Sequence, residues 1–429
     1  MKLLGAIKSI NITPPIGINL AGYSDRSHGA EGIKDELFAK TLVLSDGKEK
    51  IVLVTTDLTG IDYNFTKNVR KLVEKNSNIK GQNIMITASH THSGPSACKM
   101  ESNYAWMNIG NSEMEISYYK LLIEAIARLI IWANNSLQEI KIGFDKGLLT
   151  NLGSNRRDPN KPFDSEVNVL RIDDENNQPI AAVVNYSCHP TVLSAENYLI
   201  SGDFPSYMMK GISRFYQGCE AMFAQGAAGD ISTRHTRRES SFNEAKRMGE
   251  MLAGESIKVL NKVYMTNRLD IKSLITPIKI PIREFDSDDE CIQRIEDAKR
   301  NLNKLKKEGA PANIIRSAEV ILQGAEKNYM IKKDLKIKEF NTEMQLIQLG
   351  DNVIISIPGE LFNKIGTKIK KLTEKYNIIV AGYANDYIGY ILDSESYTEE
   401  SYESGASMVS HEAEKIIVDA AEKLITMIE

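Results

Sequence analysis

The segment Thr41–Leu58, TLVLSDGKEKIVLVTTDL, sets two runs of β-branched and aliphatic residues on either side of Asp46-Gly47. An Asp-Gly pair between such runs supplies the positive φ that a tight hairpin needs, and it is the strongest short-range strand-pairing signal in the chain. A chain that opens this way is committed to building sheet. Helical spacing follows at once, with Phe65, Val69, Leu72 and Val73 on one side of Asn64–Lys75; apolar residues at i, i+4, i+7 and i+8 share one helix face. Strands and amphipathic helices continue to intermix along the chain, so the expected class is α/β or α+β with mixed sheets.

The same reading places a short buried strand at Asn83–Ala88, an amphipathic helix at Ile116–Trp132, and strands at Val167–Ile172 and Ile180–Tyr186 joined by the turn-rich DDENNQP. Ser241–Val263 is helical, Leu274–Ile282 is strand-like, and EMQLIQLGDNVIISIPGELF forms a second hairpin around Gly350-Asp351. An amphipathic helix ends the chain at His411–Ile428. Ser287–Lys333 differs in texture, rich in Lys and Glu and interrupted by Gly309-Ala310-Pro311. It is expected to be a helical hairpin inserted into a single catalytic domain spanning 1–429.

Composition narrows the function classes. With 429 residues, 26% charged, and a net charge of −4, the chain has no basic excess for nucleic acid or an anionic membrane surface. It has no apolar run of membrane-spanning length. Its N-terminus, MKLLGAIKSINITPP, carries too short an apolar run for a secretion signal. A cytoplasmic protein is the expectation. Cys98, Cys188, Cys219 and Cys291 are scattered with no CxxC pair, which fits reduced thiols rather than disulfides or a thiolate metal site.

Four places carry residues suited to chemistry. In SHTHSGP, His90 and His92 stand two apart at the end of an apolar run; if the segment is extended, both imidazoles share one face. They are a metal or acid–base pair, or two hydrogen-bonded histidines at a strand end. His189 precedes Pro190 after a strand, a rigid mount for a ligand or an ordinary core histidine. Glu360 follows Pro358-Gly359, at a strand rim or in the first turn of a helix. The segment YANDYIGYILDSESYTEESY holds five tyrosines among polar residues, a composition too polar for a simple core strand. Asn155-Arg156-Arg157 adds guanidinium forks suited to an oxyanion or carboxylate. Gly226–Ser232, GAAGDIS, is a Gly-rich turn with neither the end of a P-loop nor a G-x-S-x-G elbow around Ser232.

Taken in order, TPPIGINLAGY, SHTHSGP, SNRR, the His-Pro after a strand, GAAGDIS, PGELF and NDYIGY…SYESGAS resemble the neutral/alkaline (non-lysosomal) ceramidase family, specifically its N-terminal catalytic domain. They span Thr13 to Ser407. The chain looks like a bacterial-type member without the family's C-terminal immunoglobulin-like domain. The resemblance implies a zinc-dependent amidase with one Zn2+ per chain, bound by His90, His189, Glu360 and Tyr390, with Tyr387 the lesser candidate for the fourth place. It also implies that His92, Arg156 and Tyr402 contact the scissile carbonyl and that Glu360 takes the proton of the attacking water. Asp203 and Asp230 are candidates for orienting the ligand histidines, and Ser232 for a structural or substrate-contacting role.

The sequence departs from the family pattern in two places. Thr233-Arg234 stand where Pro-Asn is expected, and Arg157-Asp158 replace small and proline residues. Extra charge near a pocket for a lipid tail points to a smaller or more polar N-acyl substrate. The alternatives are ceramide itself, a zinc-dependent esterase or lactonase activity, and a binding protein that keeps the fold without turnover.

Overall fold

The computed structural model describes residues 2–99 and 110–429. Two sheets stack face to face. The larger has eight strands in the order 220–225, 179–186, 166–174, 138–148, 4–11, 38–45, 50–56, 84–88. The second orders 271–281, 339–349, 352–356 and 377–381. Thr41–Leu58 forms the hairpin its sequence demands: Phe38–Ser45 pairs antiparallel with Lys50–Thr56, and Gly47 takes a φ of 87° in the turn.

Alternation along these strands builds the layers. Leu42, Leu44, Ile51 and Leu53 point into the apolar layer between the two sheets, against Ile347, Ile354 and Ile379. Their neighbours Val43, Val52 and Val54 point the other way, onto helices. That opposite facing follows from the two-residue period of a strand. Helices α1 (Tyr63–Asn76) and α2 (Glu113–Asn134) cover one part of the outer face of the large sheet. Helices α3 (Asp203–Phe215) and α4 (Phe242–Leu260) cover the other part.

Between the strands 271–281 and 339–349 stand α5 (Asp288–Lys307) and α6 (Ala312–Asp334). The capping box Ser287/Glu290 starts α5, and α6 packs against the short α8 (Tyr402–Ala406). The outer face of the second sheet is closed by α7 (Asn363–Lys370) and α9 (Ala413–Thr426). The elements read from the sequence lie within a few residues of those found. Leu4–Asn11, Gln138–Leu148, Glu220–Gln225, Asn377–Ala381 and α3 are additional.

Three strand–helix–strand crossovers decide where the site sits. Parallel strands need a long connection, usually a helix. Here α1 joins 50–56 to 84–88, α3 joins 179–186 to 220–225, and α7 joins 352–356 to 377–381. The carboxyl ends of all these strands meet. Ala88 N donates to Tyr383 O at 3.1 Å, Gly382 N to Gln225 O at 2.9 Å, and Asn385 N to Ile86 O at 2.8 Å. A crevice outside the carboxyl ends of parallel strands is where α/β sheets place ligands. No helix among the described residues is long and apolar enough to cross a membrane, and the four cysteines are buried and unpaired.

Candidate active site

His90 leaves the strand Ile84–Ala88 with a φ of 65°. The segment therefore does not stay extended as the H-x-H spacing predicts, because the chain turns at His90, whose N–H donates to Leu58 O at 2.9 Å. Both imidazoles still reach one point, with the Nε2 atoms of His90 and His92 3.1 Å apart. His189 follows the strand Pro179–Tyr186 and brings its Nε2 to 3.0 Å from Glu360 Oε2. That oxygen lies 3.4 Å from His90 Nε2. Glu360 is on the two-residue strand Glu360–Leu361, ahead of α7 and outside its first turn. It is paired in register with Tyr390. All four groups are buried.

Hydrogen bonds assign the imidazole tautomers. His90 Nδ1 is 2.6 Å from Thr59 O, and His189 Nδ1 is 2.6 Å from Ala228 O. A carbonyl only accepts, so both Nδ1 atoms carry the proton and both Nε2 atoms are bare when the rings are neutral. Burial, then Arg156, pushes His189 down to about 4. Burial, then His90 and His189, pushes His92 well below its ordinary range. Burial pushes the Glu360 carboxyl up, but positive charge at the positions of His90 and His189 outweighs it and takes the group well below its ordinary range. The result is a knot of imidazole lone pairs around a carboxylate oxygen, an arrangement that calls for a cation. The ligand atoms of His90, His92 and His189 all lie within 4.8 Å of one another. Nitrogen and carboxylate donors at such a point suit zinc, so the residues present fit the metal.

His92 differs from the other two. Its Nδ1 is buried with no protein partner, whereas a metal-ligating histidine almost always donates its second ring N–H. The His92 ring is placed by the backbone instead. Arg26 Nη1 donates to His92 O at 2.6 Å, and Gly22, at φ +94°, lies so close that a Cβ there would be 2.5 Å from His92 Cγ.

The tyrosine segment divides its work. Tyr390 faces the cavity, and its hydroxyl accepts from Arg156 Nη2 at 3.0 Å. Tyr387 donates to Glu360 Oε1. Tyr383, the first tyrosine of the segment and given no role of its own by the motifs, stacks on His90 with centroids 4.1 Å apart and reaches Glu360 Oε2 at 3.4 Å. Tyr402 lines the cavity edge-on to Tyr390. Arg156 is fixed by Glu403 at 2.6 Å. Burial lowers its guanidinium, but Tyr390 and Glu403 more than reverse this and hold it well above its ordinary value.

Other expected residues sit around this centre rather than in it. Asp230 ties two pieces together, accepting from Asn155 Nδ2 at 2.6 Å and from Asn363 N at 2.8 Å. Gly229 next to it permits the contact, since a Cβ there would lie 2.5 Å from Glu360 O. Asp203 accepts from Leu193 N at 3.0 Å and Phe204 N at 2.6 Å, a turn-capping carboxylate. Neither aspartate orients a histidine, because carbonyls already hold both Nδ1 atoms. Ser232 lines the cavity, and its Oγ accepts from Arg234 N at 3.2 Å. Arg157 turns away, pairing with Glu399 and lying over Phe362; its charge does not enter the pocket. The cavity above the centre measures about 840 Å³, and Arg316, Val320 and Gln323 of α6 form part of its wall.

Residues 3–244 match the family model described as neutral/alkaline non-lysosomal ceramidase, N-terminal. The chain belongs to this family. The neutral ceramidase of Pseudomonas aeruginosa is 23% identical, across 91% of this chain and 67% of that protein. The Mycobacterium tuberculosis neutral ceramidase is 21% identical, across 91% and 71%. Neutral ceramidase B of Dictyostelium discoideum is 29% identical over 50% of this chain and 33% of its own length. The solved structure of the Pseudomonas enzyme superposes with a TM-score of 0.78 at 21% identity, covering all of this chain and 75% of that one. The family fold thus accounts for the stacked mixed sheets.

Proposed function

We propose that this family member is a zinc-dependent hydrolase of an amide bond, acting on an N-acyl compound smaller or more polar than ceramide. What carries the reading is the convergence of the bare Nε2 atoms of His90 and His189 on Glu360, each ring anchored through Nδ1 to a carbonyl. His90, His189 and Glu360 would hold the ion, with Tyr390 as the fourth group. When bound, Zn2+ supplies Lewis-acid polarisation and makes water a nucleophile near neutral pH by lowering its pKa towards about 7.

The chain's own groups do the rest. Glu360 Oε2, ionised and facing both histidines, accepts the proton released by water. Tyr387 and Tyr383 hold that carboxylate in place. His92, Arg156 and Tyr402 surround the position of the developing oxyanion. Burial pushes the Tyr402 phenol up, so its hydroxyl keeps the proton it must donate. Arg156 remains a cation in the same wall. Such donors are effective because they are oriented before the reaction begins.

The test is metal content and turnover of His90→Ala and His92→Ala on a panel of N-acyl and O-acyl substrates, ceramide among them. His90→Ala should lose zinc and activity together. His92→Ala should keep zinc and lose roughly 10²–10³ in turnover. Retention of both zinc and rate by both variants would sink the proposal.

A further inference from the structure

We propose that the cavity recognises an anionic group on the substrate, a carboxylate or a phosphate, held by Arg234 and Arg237 with Arg316 contributing from α6; this rests on the amide-hydrolase reading of the centre beneath. All three guanidiniums line the same cavity as His90, His92 and Glu360. Their pairing is what distinguishes them. Arg156 is paired with Glu403, and Arg157 with Glu399. Arg316 is exposed and pairs with Glu319 at 3.2 Å. Among the described residues, Arg234 and Arg237 form no ion pair. Each spends one nitrogen on a carbonyl: Arg237 Nη1 on Thr191 O, and Arg234 Nη1 on Arg156 O at 3.5 Å.

A guanidinium has five donors, so most of theirs remain for a ligand. Arg234 also feels the uncompensated charge. Burial, then Arg156 and Arg316, lowers it from its ordinary value. Of the carboxylates that line the cavity, Glu403 pairs with Arg156 and Glu360 faces the histidines, while Asp25 and Glu196 add negative charge to the wall but form no ion pair with Arg234 or Arg237. Two guanidiniums without an ion pair on one concave wall suit an anion, and guanidinium forks match the paired oxygens of carboxylate or phosphate.

The position relative to the centre fits a single small substrate. Arg234 contacts the backbone of Arg156, whose guanidinium contacts Tyr390 beside Glu360. The arginines leave the strand Ile231–Ser232, which bridges to His189 and pairs with Asn155. Anion and scissile carbonyl are thereby referenced to the same short strands. They also fall in the stretch after Ser232 where the sequence leaves the family's pattern.

The experiment uses three zinc-loaded assays at one acyl length: N-acylglycine, N-acylethanolamine and the phosphate monoester of N-acylethanolamine. The first two differ in charge at nearly equal size, and the third separates phosphate from carboxylate. One anionic arm should exceed the neutral arm by about 10- to 100-fold in kcat/KM, the ratio expected for charge-assisted hydrogen bonds. Arg234→Gln and Arg237→Gln should each cut that ratio by about 10-fold through KM, leaving the neutral arm unchanged, while Arg237→Lys keeps part of it. Turnover of the neutral arm with no anionic preference, or a preference that survives both glutamine variants, overturns the inference and leaves the hydrolase reading standing. If no amide is cleaved at all, the hydrolase reading fails and calorimetric binding of N-acylglycine decides. Binding that Arg234→Gln/Arg237→Gln abolishes supports the anion site; absent or unaltered binding overturns it.

Discussion

Asp386 gives the molecule a stability profile with a definite sign. Its side chain is buried, and its Oδ1 accepts from Tyr63 N at 2.9 Å, at the start of α1, and from Tyr387 N at 2.7 Å. Burial, reinforced by nearby Asp62, pushes its carboxyl up to about 7 from an ordinary 3.8. The folded state therefore holds a proton that the unfolded chain gives up. The contribution is fully present below pH 4 and is lost as the pH rises through about 7. The gap corresponds to about 4 kcal/mol, as an upper bound. At about 2.1 cal/mol/K per residue, 429 residues give an unfolding entropy of about 0.9 kcal/mol/K, so the midpoint should move by about 4 °C.

Asp386→Asn keeps the Oδ1 acceptor and removes the titration. By scanning calorimetry, the variant should match wild type near pH 4 and gain on it steadily up to pH 7, melting about 4 °C higher at pH 8. Subtracting wild type matters, because Asp57, Asp203 and Asp230 are also pushed up, each to about 6. If the two melting curves stay parallel from pH 4 to 8, burial does not raise this carboxyl as argued.

Three further substitutions probe the frame around the centre. Glu343→Ala leaves Arg70, bonded to it at 2.6 Å with both side chains nearly buried, without its partner; denaturant titration should show a loss of about 3–5 kcal/mol, and Arg70→Met/Glu343→Leu should recover much of it. Gly22→Ala drives a methyl against the His92 ring, so turnover should fall about 10²-fold while zinc content is unchanged. Tyr387→Phe removes the hydroxyl on Glu360 Oε1 and should weaken zinc binding about 10- to 100-fold in a competition titration, with little change in melting temperature.

Periodicity exposes the elements that have one wet face or a sharp turn, and this chain's sequence shows them well. The Asp46-Gly47 and Gly350-Asp351 hairpins and the amphipathic helices α1, α2 and α4 announce themselves because water and core impose opposite demands on alternate positions. Glu220–Gln225 and Asn377–Ala381 do not. They are short strands at the carboxyl-end seam, buried almost throughout, and a continuous apolar run carries no period to read. The helix α3 starts at Asp203 with a φ of 54°, after a glycine with no capping side chain, so the usual start signal is missing. Arg157 misleads in a different way. Its place beside Arg156 puts it near the pocket in sequence, yet the chain bends after the strand Ser154–Asn155 and the Arg157 side chain goes to Ser396 and Glu399 instead.

The centre shows the same limit more sharply. His90, His189, Glu360 and Tyr390 come from three crossovers and a late two-residue strand, and only the ordered set of motifs links them along the chain. Geometry then adds what the motifs cannot hold. The groups that distinguish His90 and His189 from His92 are the carbonyls of Thr59 and Ala228, and a main-chain oxygen leaves no mark in a sequence. The role of Tyr383 within its tyrosine-rich segment stays unread for a related reason: its backbone takes a φ of 53° and its ring stacks on His90. A candidate metal site is thus legible in its side chains and hidden in its tautomers. For two histidines two residues apart, whether the second ring nitrogen finds a carbonyl separates an anchored ligand from a ring free to meet the substrate.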